Sequence, residues 1–272
     1  MTMLQSIILG IIQGASEFLP ISSSGHLVLA PVIFGWNIPP QEAFIFDVLV
    51  QVATLSAVLI YYWKDLLLIL KSILKGLASR DLFHDFHARL GWYLILATIP
   101  AGIAAILFKE TFEQAFSSPI AAAIFLLCTS AFLLLAEIFG ARNRSLTSST
   151  WLDALWIGFF QLFALFPGIS RSGATISGGM LRGLDRESSA RFSFLMAVPV
   201  MSAAGVLAIS DLVAIPDLAA KLPIYAVGFL AAALVGYLAI RWFITYLSKQ
   251  SLYLFAGYCA FLGSFFLFLL TR

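Results

Sequence analysis

Two short polar stretches interrupt otherwise apolar sequence, and they hold most of the residues able to do chemistry. The first is Glu17-Phe-Leu-Pro-Ile-Ser-Ser-Ser-Gly-His26; the second is Phe166-Pro-Gly-Ile-Ser-Arg-Ser-Gly173, followed closely by Thr175. Arg171 cannot lose its proton, and its planar fork matches phosphate oxygens. Backbone N–H groups of residues 168–173, at the start of the helix that follows, form an anion cradle. Together these describe a phosphate site. His26 is a candidate nucleophile or general acid/base, Ser23 a candidate nucleophile, and Glu17 a base or a metal carboxylate. Gln13, Ser22, Ser24, Gly168, Ser170, Ser172, Gly173 and Thr175 are the candidates for contacting substrate. Each has a plainer use as well. Serines in a membrane turn satisfy backbone groups, glycines let helices approach, and a lone histidine serves as a structural hydrogen-bonder. An arginine set between serines in a broken apolar helix has few such uses.

The elements that must position these residues are membrane helices. The chain is 61% hydrophobic and only 11% charged over 272 residues, whereas a soluble domain keeps about a quarter of its residues charged. Its outer surface must therefore meet lipid. A net charge of +2 argues against a nucleic-acid partner. Cys128 and Cys259 lie in apolar runs without metal-type spacing and read as small hydrophobes. Six stretches have the length of about 20 apolar residues that a span needs: 45–63, 90–108, 119–139, 192–213, 222–244 and 252–270. Regions 3–34 and 152–184 are broken by Pro and Gly, and each arm is too short to cross. Two short arms around a polar turn read as a re-entrant hairpin, which survives in a bilayer only where protein buries it or water reaches it.

The basic residues agree with this layout. With both broken regions re-entrant, Lys64, Lys71, Lys75, Arg80, Arg89, Arg142, Arg144, Arg182, Arg186, Arg191, Arg241 and Lys249 face the cytoplasm. Lys109, Lys221 and Arg272 fall outside, and Arg171 lies within the membrane, which satisfies the positive-inside rule. Both termini are then outside, the first hairpin enters from outside and the second from the cytoplasm. Residues 66–75 read as an amphipathic helix on the cytoplasmic face. Asp47 and Gln51 start a span beside the first hairpin, and Asp211 is expected at a helix end in water.

A shift of 148 residues places Gln13 on Gln161, Phe18 on Phe166, Ile21 on Ile169, and Ser22, Ser24 and Gly25 on Ser170, Ser172 and Gly173. The fold expected is an all-α polytopic membrane protein. It has six spanning helices and two opposed re-entrant hairpins in an inverted repeat, forming one domain over 1–272 with halves of about 1–139 and 140–272. Such repeats place their site at the repeat interface near the midplane.

At these residues the chain resembles the undecaprenyl-diphosphate phosphatase family, the bacitracin-resistance proteins. Gln13-Gly-Ala-Ser-Glu17 with the following serines and His26 is similar to the family's (E/Q)-x-x-x-E motif. Residues 166–179 are similar to its P-G-x-S-R-S-G-A-T signature, and the likeness extends over almost the whole chain, including 46–51 and 192–199. The resemblance implies Glu17, Ser23, His26 and Arg171 as the catalytic or substrate-binding set. It implies hydrolysis of undecaprenyl diphosphate to undecaprenyl phosphate and inorganic phosphate, which recycles the lipid carrier for peptidoglycan and other envelope polymers and confers bacitracin resistance. It also implies a bacterial cytoplasmic membrane with the site opening outward, and a divalent cation, Mg2+ or Ca2+. Gln13 stands where many members of the family are acidic, so Glu17 and the substrate phosphates would carry most of the ligation. A homodimer is compatible with this reading. Two rivals remain from the residues alone: a polyprenyl-phosphate flippase or transporter, since opposed broken helices suit alternating access, and a non-catalytic scaffold of an envelope complex.

Overall fold

A computed structural model describes the backbone of residues 1–116, 118–213 and 218–272, and the side chains of these except 113, 207–213 and 218–220. Asp211 thus lies outside the described side chains. The described chain is helical throughout. Six helices are long and apolar enough to span a membrane: α3 (Pro40–Tyr61), α5 (Phe86–Leu107), α7 (Pro119–Phe139), α10 (Arg186–Val213), α11 (Leu218–Leu247) and α12 (Tyr253–Leu270). The remaining helices are α1 (Met3–Phe18), α2 (Ser23–Phe34), α4 (Trp63–Ser79), α6 (Lys109–Phe116), α8 (Trp151–Phe163) and α9 (Arg171–Leu181). Both breaks expected from Pro and Gly are present, at 19–22 between α1 and α2 and at 164–170 between α8 and α9.

The helices start where their caps dictate. Thr2 and Thr150, which are 148 residues apart, each close a capping box, with Gln5 and Asp153 respectively. Ser22 and Ser170, separated by the same interval, cap α2 and α9, each hydroxyl accepting the N–H of the glycine three residues on. The packing partners correspond as well. Gly10 of α1 lies against the Gly228 carbonyl of α11, and Gly158 of α8 lies against the Ala97 carbonyl of α5. Gly14 adds a second small position, against Ala232 and Gly236. In lipid, where apolar side chains gain little by leaving their solvent, close backbone approach at small residues is what holds such helices together.

Large apolar side chains on the outward faces of the spans, among them Ile103, Ile124, Leu234 and Phe261, remain exposed, as a lipid-facing surface requires. The interior is filled by Phe18, Phe194, Phe243 and their neighbours, and the Phe18 ring meets Phe194 edge-on at 5.3 Å between centroids. Helix α4 extends beyond the 66–75 expected. It rests Ile69 and Ile73 on Gly91 of α5, while Leu67, Leu70 and Leu74 stay uncovered.

Buried charge gathers at one end. The Glu137 carboxylate accepts from Arg142, Arg186 and the Leu252 backbone N–H. Asp153 accepts from Arg144, Arg182 and the Thr150 N–H. Each carboxylate is thus fully engaged, as a buried acid must be. Arg191 reaches Asp65 of α4. Elsewhere, Glu42 pairs with the N-terminal amine and Lys221.

Candidate functional site

The two breaks are stitched to each other. The Ser172 hydroxyl donates to the Leu19 carbonyl at 3.0 Å, crossing from the second break to the first. A Cβ on Gly25 would stand 3.1 Å from the Gly168 Cα, and one on Gly173 3.3 Å from Pro20 Cβ, so glycine at these two sites sets how closely the turns approach. Gly168 has φ +97°, a conformation that needs glycine, and its carbonyl accepts from Thr129 of α7 at 2.8 Å. The same Thr129 oxygen accepts the Ser170 N–H at 2.9 Å. Ser22 holds φ +69° without being glycine. Such a conformation persists only where its surroundings impose it, and it clusters at functional sites.

At this junction Glu17 collects side chains from both halves. Its Oε2 accepts from Ser23 Oγ at 2.6 Å and from Gln13 Nε2 at 2.9 Å. Its Oε1 meets Arg171 Nη2 at 3.2 Å. The Glu17 and Arg171 side chains are only 7% and 13% exposed. Pairing offsets the several kcal/mol that either charge would cost alone at membrane depth. The Arg171 guanidinium also donates from Nη1 to the Ser193 carbonyl at 3.2 Å, while its Nε is buried with no partner among the described residues. A guanidinium carries five N–H donors, so several remain for an incoming anion.

Of the residues singled out from sequence, the structure brings Gln13, Glu17, Ser23 and Arg171 into direct contact. His26 faces elsewhere. Its Nδ1 lies 2.7 Å from the Ser22 carbonyl and its Nε2 2.7 Å from the Tyr258 hydroxyl of α12, and no bond joins it to Glu17 or Arg171 among the described residues. Ser22 caps α2 and lies 3.3 Å from Ser24 Oγ; Ser170 caps α9 and lies 3.0 Å from Ser172 Oγ. Thr175 Oγ1 donates back to the Arg171 carbonyl and lies 2.7 Å from Ser193 Oγ. These hydroxyls shape the turns that aim Arg171. Three contributors escaped sequence reading: Thr129, Ser193 and Tyr258. Each lies in a spanning helix away from both breaks, where no local pattern marked it.

A hard cation would find oxygen donors here. Gln13 Oε1 is buried without a partner and adjoins the Glu17 carboxylate through its own amide nitrogen. Among the described residues no cluster of three His, Cys, Asp or Glu side chains exists. A hard cation held here would have to take most of its ligands from substrate oxygens.

The chain is similar to known proteins over nearly its whole length. Residues 6–265 match the family model described as bacitracin resistance protein BacA. A protein of Moorella thermoacetica named undecaprenyl-diphosphatase is 42% identical over 258 residues, covering 95% of this chain and 94% of that protein. Proteins of the same name from Myxococcus xanthus and Chloroherpeton thalassium are 37% and 40% identical, over 99% and 100% of this chain and 90% and 98% of theirs. With its two capped breaks, its S-R-S-G turn and this whole-length similarity, the chain belongs to the bacitracin resistance protein BacA family.

Proposed function

We propose that this protein hydrolyses undecaprenyl diphosphate, or a closely related polyprenyl diphosphate, to the lipid monophosphate and inorganic phosphate. The observation that carries the reading is the Glu17 carboxylate held between a hydroxyl, Ser23, and a guanidinium, Arg171, from the other half of the chain. The names of the relatives supply the substrate class.

Arg171 exchanges part of its pairing with Glu17 for the phosphate oxygens and neutralises charge as it develops. Ser23 Oγ attacks the terminal phosphorus while Glu17 Oε2, already 2.6 Å away, takes its proton. One P–O bond forms to serine, the anhydride P–O bond breaks, and the lipid leaves as its monophosphate, its departing oxygen taking the proton from Glu17. Water activated by the same carboxylate then releases inorganic phosphate and regenerates Ser23. Ser23 is favoured over His26 as the nucleophile because both His26 nitrogens are engaged outside the Glu17–Arg171 pair, which leaves His26 as a general acid/base beside it. A divalent ion held by Glu17 and Gln13 Oε1 together with the substrate phosphates would supply further charge neutralisation.

The same reading places the protein in the cytoplasmic membrane of a bacterium, with the re-entrant hairpins opposed and the site opening outward. The arginines gathered around Glu137 and Asp153 support a cytoplasmic location for that end. The matched caps and glycine contacts of the two halves support the inverted repeat.

The test is release of inorganic phosphate from a polyprenyl diphosphate by pure protein in detergent micelles. Turnover by wild type that is lost in Glu17→Gln is expected. Its absence in wild type would leave the flippase reading in front, because micelles enclose no compartment for transport.

A further inference from the structure

Tyr258 lies in α12, outside both breaks and 232 residues from the histidine it touches. Its hydroxyl is 2.7 Å from His26 Nε2, and the two rings are stacked, with centroids 5.7 Å apart and planes within 3° of parallel. The adjacent Cys259 thiol reaches the Pro20 carbonyl at 3.6 Å. Two consecutive residues of α12 therefore hold the first break, one at its proline and one at its histidine.

The proton positions follow from the partners. A carbonyl oxygen only accepts, so His26 Nδ1, 2.7 Å from the Ser22 carbonyl, carries the hydrogen. In the neutral imidazole Nε2 is then an acceptor, and the tyrosine hydroxyl is its donor. The carbonyl that receives Nδ1–H belongs to Ser22, whose φ of +69° turns the chain at this point. Imidazole, strained turn and phenol thus form one chain of contacts running from the first break to α12. The Tyr258 ring is 39% exposed, at the margin of the protein.

We propose that Tyr258 is a positioning residue for the hydrolase reaction, fixing the ring orientation of His26 through the hydrogen bond between its hydroxyl and Nε2. This rests on the hydrolase reading above and on His26 serving it. The imidazole is then held in one orientation, Nδ1–H on the Ser22 carbonyl and Nε2 on the tyrosine hydroxyl. A second-contact hydrogen bond of this kind sets the chemistry of a histidine without itself touching the reacting atoms.

Tyr258→Phe removes the hydroxyl and keeps the stacked ring, so it separates positioning from packing. The full chain in detergent is assayed for phosphate release from a polyprenyl diphosphate, alone and in a His26→Gln background. In the otherwise native chain, kcat is expected to fall about tenfold, as loss of one hydrogen bond allows. KM should stay within about twofold, the acid limb of the pH–rate profile should move, and the gel-filtration profile should not change. In the His26→Gln background the same substitution should cost nothing further, since the tyrosine then has no imidazole to orient. The 15N-imidazole spectrum, simplified by only three histidines, should show the Nδ1–H tautomer in both proteins, because the Ser22 carbonyl keeps that hydrogen, with the Nε2 signal shifted in Tyr258→Phe by loss of the hydroxyl. Undiminished kcat in Tyr258→Phe, or a loss that multiplies with that of His26→Gln, overturns the proposal while the hydrolase reading stands. Absence of hydrolysis in wild type overturns both.

Discussion

The two breaks share a skeleton and differ in chemistry. In each, a serine caps the second helix through the glycine three residues on, and a second serine hydroxyl lies near the cap, at 3.3 Å in the first break and 3.0 Å in the second. Between these serines the same repeat position holds Ser23 in one break and Arg171 in the other, 148 residues apart. Both side chains converge on Glu17, one on each carboxylate oxygen. Glu17 itself has no acidic counterpart, since the equivalent residue is Leu165, and His26 corresponds to Ala174. A symmetric frame has thus been loaded asymmetrically. One half supplies a hydroxyl and a carboxylate, the other a fixed cation, and the carboxylate is the point where they meet. The lesson is that capping serines preserve the frame while the residue between them is free to specialise.

The sharpest way to break the comparison is at Arg171. Arg171→Ala should lower kcat/KM by about 10³-fold or more, roughly 4 kcal/mol of transition-state stabilisation, with the helix content seen by circular dichroism unchanged. Arg171→Lys keeps the charge but not the fork and should recover only a minor part. Wild-type activity in either would remove the cation from its assigned role. Ser23→Ala, which removes the nucleophile itself, should cost as much, about 10³-fold or more in phosphate release, whereas Ser172→Ala, in the other turn, should cost far less. Equal losses would show that hydroxyls in both turns serve the frame alone.

Stability tests follow. Asp153→Asn leaves Arg144 and Arg182 without their buried partner and should destabilise by about 3 kcal/mol in a denaturant titration, well above the cost of capping changes. Ser170→Ala, which removes a cap and leaves Arg171 in place, should cost about 1 kcal/mol. The smallest effect belongs to Asp85, which caps α5 and accepts from Ser72 of α4. The Ala88 N–H and the Ser72 hydroxyl outweigh its partial desolvation and hold its carboxyl below the usual value of 3.8. A depressed folded-state value means that its contribution is complete above about pH 4 and fades as the pH falls below that. Asp85→Ala should therefore lower the melting temperature slightly at pH 7, with the difference from wild type shrinking towards pH 3. A difference that persists in acid would show that the cap does not depend on ionisation.

Much of the architecture was legible because lipid imposes few solutions. A run of about 20 apolar residues with no charge at its centre can do little but span, and the six stretches expected on that ground are all helices here. Pro20, Pro167 and Gly168 announced the breaks, since neither break can continue a helix through them. The buried hubs at Glu137 and Asp153 were not legible. Their arginine partners lie 5 to 49 residues away, and such spacing carries no signal on its own.

For the site, residue type and position along the chain determined which groups had to be buried together. Glu17 and Arg171 each stand in a broken apolar segment, and isolated charges there are costly enough to demand partners. What only the tertiary structure decided is the direction in which each side chain points. Ser23 turns to Glu17, while His26, three residues further along the same helix, turns to Tyr258. That difference depends on how α2 is rotated against α1 and α12. The rotation is settled by contacts such as Gly25 on Gly168 and Ser172 on the Leu19 carbonyl, between residues far apart in the chain, which no local pattern encodes.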